Sequence, residues 1–170
     1  AVRLAIMGAT GLVGRVMRQV VEERDFPFDS IRFLASERSA GTTIDFRGKP
    51  IEVEPIRADI FHDLDIILSS TPGSVSREFS PIAARAGAVV VDNSSAWRMD
   101  PEVPLVVPEV NSDAIASHKG IIANPNCSTI QMLVALKPLH DLGRIKRLVV
   151  STYQASSGKG SAALRELERQ

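Results

Sequence analysis

The sequence predicts an α/β fold with a doubly wound, mostly parallel sheet. Two features predict it. Several short runs, among them VRLAIM (2–7), DIILSS (65–70) and AVVVD (88–92), are apolar throughout rather than alternating. A strand of that kind is buried on both faces. Between these runs lie stretches with apolar residues at helical spacing, so strands and helices alternate and the strands pair in parallel.

The elements follow in order. VRLAIM ends at Gly8 and reads as a buried strand. After GATGLVG, the residues Val13, Val16, Met17, Val20 and Val21 recur at helical spacing. IRFLAS (31–36) is the second strand. FRGKPIEVEPI carries a turn at Gly48 to Pro50 with short strands on either side. After the strand DIILSS, SVSREFSPIAARAG is a helix closed by Gly87, and AVVVD is a further strand. SAWRMDPEVPLVVPEV is proline-rich and irregular. NSDAIASH is a short helix capped by Asn111 or Ser112. GIIANP is a strand stopped by Pro125, and STIQMLVALKPLHDLG a helix with Pro138 near its end. RLVVSTYQ (147–154) reads as a last strand and SAALRELERQ as the start of a helix.

Composition narrows the function classes. The 170 residues carry no formal net charge and only 5% aromatics. Neither an electrostatic partner such as nucleic acid nor a base-stacking surface is indicated. No apolar run has the length of a membrane span. One cysteine makes no internal disulfide, which fits a reducing cytoplasm. No metal site is expected.

Gly8, Gly11 and Gly14 lie between the first strand and the first helix. There they suit a dinucleotide loop of the Rossmann kind. Gly8 permits the tight turn, Gly11 lets backbone approach a pyrophosphate, and Gly14 lets the helix pack on the strand. The helix N-terminus offers free N–H groups to the phosphates. The second strand runs into ASERSAG. Glu37 there suits a ribose 2′-hydroxyl; Arg38 and Ser39 suit a 2′-phosphate, and that pair favours NADP.

Cys127 lies in ANPNCSTIQML, after a strand end and at the mouth of a helix capped by Asn126 or Cys127 itself. A lone cysteine is more often a small buried side chain than a nucleophile. This one sits where open α/β sheets bind ligands and where the helix dipole stabilises an anion. A nucleotide loop and an end-of-strand thiol together suggest a covalent thiol adduct that exchanges a hydride with a nicotinamide.

GATGLVG, ASERSAG, VVDNSSAWRMD, PLVVPEVN, NPNCST and STYQASSGKG, in this order, closely resemble the aspartate-semialdehyde dehydrogenases. The resemblance runs through essentially the whole chain. It implies NADPH-dependent reduction of L-aspartyl 4-phosphate to aspartate semialdehyde and phosphate, in aspartate-family amino-acid biosynthesis. Cys127 would attack the acyl phosphate, and hydride would reduce the resulting thioester. By the same resemblance Thr10, Gly11, Leu12 and Val13 would contact the pyrophosphate, and Arg38 and Ser39 the 2′-phosphate. Arg98 would bind the substrate phosphate, Asn126 would help to position the substrate, and Gln154 would orient it near the thiol. Ser157 and Gly158 would contact the cofactor again. A homodimer is implied for the full-length protein.

The resemblance divides the chain into a dinucleotide-binding domain, 1–126, and the beginning of an α+β catalytic and dimerisation domain, 127–170, with the remainder absent. The chain reads as cut off within an element at Gln170. The histidines, His62, His118 and His140, read as structural or solvated. At a rise of ~1.5 Å per residue, His140 lies roughly 20 Å along the helix from Cys127. In the family the catalytic histidine lies further along, so this chain alone is expected to have little or no turnover. The competing readings are a nucleotide-binding module with an inert thiol and an N-acetyl-glutamyl-phosphate reductase.

Overall fold

In the computed structural model the strands form a seven-stranded sheet. The structure describes residues 2–170, and their side chains except those of 159, 161 and 162. The strands are β1 (Arg3–Met7), β2 (Ser30–Ala35), β3 (Thr43–Phe46), β4 (Lys49–Pro55), β5 (Ile66–Ser69), β6 (Val89–Asp92) and β7 (Ile121–Ala123). Their order is β3-β4-β2-β1-β5-β6-β7, and every pairing is parallel except β3 with β4. The helices are α1 (Leu12–Glu23), α2 (Gly73–Arg85), α3 (Pro108–Asn111), α4 (Cys127–Gly143) and α5 (Ser161–Arg169).

The apolar strands are covered on both faces, as their composition requires. Leu4 and Ile6 face one side with Phe33, Val53 and Val21 of α1. Ala5 and Met7 face the other with Leu34, Ile67, Val90 and Ala83 of α2. Because β2 and β5 flank β1 on opposite sides, the chain leaves β1 and β5 in opposite directions. The crevice between those two strand ends is the switch point at which open α/β sheets bind ligands.

Local sequence explains most boundaries. Gly87 takes φ +99° just past α2, in the left-handed region that suits glycine. Asn126 caps α4, its side chain accepting from the Ser128 amide at 3.0 Å. Cys127 is therefore the first residue of that helix.

Three expectations are corrected. RLVVSTYQ forms no strand: residues 144–155 join no β-ladder among the described residues, and Tyr153 is wholly exposed. Strand-forming residues make a ladder only beside a neighbouring strand. The β3–β4 turn is centred on Arg47 and Gly48, with φ +52° and +71°, rather than on Gly48 to Pro50. This two-residue geometry matches the twist of the hairpin and leaves Pro50 within β4, opposite Asp45. Asn111 stands at the N-cap position of the following turn, a 3-10 segment, but its side chain makes no capping hydrogen bond there. Asn111 instead accepts from the Val107 amide at 2.8 Å and donates to the Leu105 carbonyl at 2.9 Å, fastening the irregular segment before it.

Candidate active site

The loops at the C-terminal strand ends enclose a cleft of about 600 Å³. The loop after β1 provides one wall. There Gly8, at φ +88°, lies so close to Ser70 that a Cβ would stand 2.9 Å from its Oγ. A Cβ at Gly14 would lie 2.1 Å from the Gly8 carbonyl oxygen, so α1 reaches this close to β1 only with glycine there. Gly11, Leu12 and Val13 line the cleft, and Gly8 and Gly14 shape the loop beneath them. First-turn N–H groups have no acceptor within their own helix, so they are available to an anion.

The N-termini of α1, α2 and α4 all open on this cleft, through Leu12, Gly73 and Cys127. Arg98 adds a full positive charge. Its Nε donates to the Asn124 carbonyl and one terminal nitrogen to the Asn93 carbonyl, each at 3.0 Å. Those partners orient the guanidinium without neutralising it. Among the described lining residues no side chain is acidic, and only Arg98 and Cys127 are ionisable. Helix ends, a cation and no carboxylate together make a cleft suited to phosphate groups.

Cys127 is exposed, and its Sγ accepts from the Gln154 side-chain amide at 3.6 Å. A Cβ at Gly158 would lie 2.4 Å from that amide nitrogen, so glycine leaves the space Gln154 occupies. Ser157 and Gly158 lie on the same wall. A second hollow, about 410 Å³, also reaches Cys127 and includes Gln131 and Tyr153. The thiol residue thus borders both spaces.

Thr10 and Ser39 meet at the top of β1 and β2, their hydroxyl oxygens 3.5 Å apart. Arg38 is exposed beside them, as is Glu37. The structure thus brings Cys127, Asn126, Gln154, Arg98, Ser157, Gly158 and the glycine loop into one cleft, while Thr10, Arg38 and Ser39 lie outside its lining. The histidines lie outside the lining: His62 and His140 are exposed, and His118 accepts from the Gly120 amide at 3.0 Å. Sequence reasoning assigned no role to Ser70, Thr71, Pro72 and Gly73 after β5, or to Asn93, Ser94 and Ser95 after β6. The available signal was small and polar residues directly after an apolar strand. Among the described residues no acidic, histidine or cysteine cluster is arranged to hold a metal, and no helix is long and apolar enough to cross a membrane.

A parallel sheet with a glycine loop at its switch point defines a dinucleotide-binding domain, here with an exposed thiol opening on the same cleft. The chain belongs to the semialdehyde dehydrogenase family: the family's NAD binding domain matches residues 3–118 and its dimerisation domain residues 136–170. The aspartate-semialdehyde dehydrogenase of Aquifex aeolicus is 56% identical over 99% of this chain and 50% of its own length. The crystal structure of aspartate semialdehyde dehydrogenase II from Vibrio cholerae, complexed with ASA, superposes with a TM-score of 0.94 at 51% identity, over 99% of this chain and 51% of that one. The aspartate semialdehyde dehydrogenase of Candida albicans with NADP gives a TM-score of 0.70 at 26% identity, over 85% of this chain and 48% of that one. The chain therefore spans about half the length of the relatives it matches.

Proposed function

We propose that the protein to which this chain belongs reduces L-aspartyl 4-phosphate to L-aspartate 4-semialdehyde and phosphate, using NADPH. The observation that carries this reading is the exposed thiol at the mouth of α4, sharing one cleft with the glycine loop and the uncompensated Arg98. The names of the relatives support the substrate.

The chain's own residues would act as follows. Cys127, as thiolate, attacks the acyl carbon. The carbon–oxygen bond to phosphate breaks, and phosphate leaves with the electron pair while Arg98 holds it. NADPH, when bound, supplies the hydride that reduces the thioester. Gln154 donates its amide N–H toward the sulfur, and Asn126 fixes the helix turn that presents it. Thr10, Gly11, Leu12 and Val13 hold the pyrophosphate, above a cradle made by Gly8 and Gly14. Ser157 and Gly158 hold the cofactor from the opposite wall. Arg38 and Ser39 take the 2′-phosphate, which is the basis for NADP over NAD.

We also place the domain division between Asn126 and Cys127, and read the working protein as a cytoplasmic homodimer; the match to the dimerisation domain supports the dimer. Collapse of the thiol adduct needs a proton acceptor and donor near the sulfur. Among the described residues lining the cleft only Arg98 and the thiol itself are ionisable, which supports little or no turnover by the 170-residue chain alone.

The test is NADP⁺ reduction by the full-length protein with aspartate semialdehyde and phosphate, beside Cys127→Ser. Phosphate-dependent reduction that the substitution abolishes is expected. Equal activity in the two proteins would sink the thiol mechanism. A stronger response to N-acetylglutamate semialdehyde would move the substrate to the longer acid.

A further inference from the structure

Behind the anion site lies a buried polar group with no part in the proposed chemistry. Asp92 ends β6 fully buried, and no ion pair reaches it among the described residues. A buried carboxylate is costly unless hydrogen bonds satisfy it. Asp92 accepts from the Ser94 amide at the start of the loop and from the Ser76 hydroxyl on α2.

Ser76 is the hub. Its oxygen accepts from the Trp97 indole N–H at 2.8 Å and lies 3.0 Å from the buried Ser80 hydroxyl. A hydroxyl has one proton and two lone pairs. With its proton given to the carboxylate, Ser76 takes the indole and Ser80 protons on its lone pairs. Its hydrogen-bonding capacity is then full, and its orientation is determined.

The segment that aims Arg98 is fastened at both ends: the hub holds Asp92, just before it, and Trp97 within it. At one end Asn93, whose carbonyl receives the guanidinium, donates its amide to Ser69 at 2.9 Å. The Asn124 side chain, on the residue whose carbonyl is the guanidinium's second partner, donates to Asn93 at 2.6 Å. At the other end Trp97, the residue before Arg98, is tied to Ser76. Between them the Ser94 hydroxyl accepts from the Ala96 amide at 3.1 Å.

We infer that Asp92, acting through Ser76 and Trp97, is a positioning device for the Arg98 guanidinium, making α2 a structural part of the anion site. This rests on the reading that Arg98 takes phosphate.

The test uses the full-length protein and calorimetric titration with inorganic phosphate, a readout independent of turnover. Trp97→Phe keeps an aromatic ring and removes one donor. Ser76→Ala removes the hub. Each is expected to weaken phosphate binding on the order of five-fold, the value of one buried hydrogen bond, and to leave NADP⁺ affinity nearly unchanged. In the background of Arg98→Ala, Trp97→Phe should produce no further loss, because the two act on one interaction. Should Ser76→Ala fail to fold, Trp97→Phe and its double variant carry the test. Lower melting temperatures with wild-type phosphate affinity would overturn the inference alone. Phosphate affinity unaffected by Arg98→Ala would remove the anion-site reading, and the inference with it.

Discussion

Cys127 and Arg98 show how little of a side chain's role lies in its type. An arginine in a loop is most often a solvated surface group. Arg98 differs because both of its partners are carbonyls, which leave its charge free for an anion. Arg98→Ala should raise the apparent KM for phosphate roughly ten- to a hundred-fold, as for hydrogen bonds to charged groups; initial rates against phosphate concentration measure it. Gly14 is constrained by distance: a Cβ there meets the Gly8 carbonyl at 2.1 Å. Gly14→Ala should cost about 1–3 kcal/mol of stability by overpacking and weaken NADPH binding, read by thermal melting and by nicotinamide fluorescence. The glycine triplet and the cysteine were legible because their neighbours, a strand end and a helix start, can be seen in a short window. The Asp92–Ser76–Trp97 connection was not, because Ser76 lies 16 and 21 residues from its two partners and meets them only through the packing of α2 on β6.

Among the elements, α4 and β1 depend on named contacts at their ends. Asn126 gives α4 its only side-chain cap at the N-terminus. Asn126→Ala should cost about 1 kcal/mol, measured by chemical denaturation, and should also loosen the turn carrying the thiol. At the other pole of the sheet, Arg3 clamps Asp65. Its backbone amide donates to Oδ2 at 2.7 Å and its guanidinium to Oδ1 at 2.8 Å. The guanidinium hydrogen bond above all, with the amide, holds the Asp65 carboxyl down at about 2. Because the folded-state value is depressed, the stabilisation is complete above the usual carboxylate range. It fades as pH falls toward 2. Asp65→Asn should therefore lose stability at neutral pH but differ little from the parent at the acid end, as acid-unfolding curves followed by circular dichroism will show. The failed strand at 147–154 belongs to this scale as well. Its composition suits a strand, yet backbone pairing needs a partner, and residue preferences cannot report whether one is present.

For the molecule as a whole, the buried core lies on the two faces of the sheet. Phe33, fully buried and edge-on to Phe46 with ring centroids 5.5 Å apart, joins β2 to the hairpin. Phe33→Ala should cost about 3–5 kcal/mol, enough to unfold a marginal domain. The other end exposes apolar surface: Leu139, Leu142, Val149 and Tyr153 are all more than half exposed. Surface of that kind promotes association. The 170-residue chain should self-associate at high concentration, and Leu142→Lys with Val149→Lys should reduce this in light scattering.

By itself the sequence determined the alternation of strands and helices, the glycine loop and the position of the thiol at a helix mouth. Each depends on residues close together in the chain: apolar runs, short-range spacing and turn chemistry. The tertiary structure alone decided that α1, α2 and α4 begin at one cleft. It also decided that carbonyls rather than carboxylates hold Arg98, and that β1 and β5 bracket the switch point. Those outcomes follow from strand order and long-range packing, because contacts across the sheet are chosen by the burial of the whole core rather than by local preference.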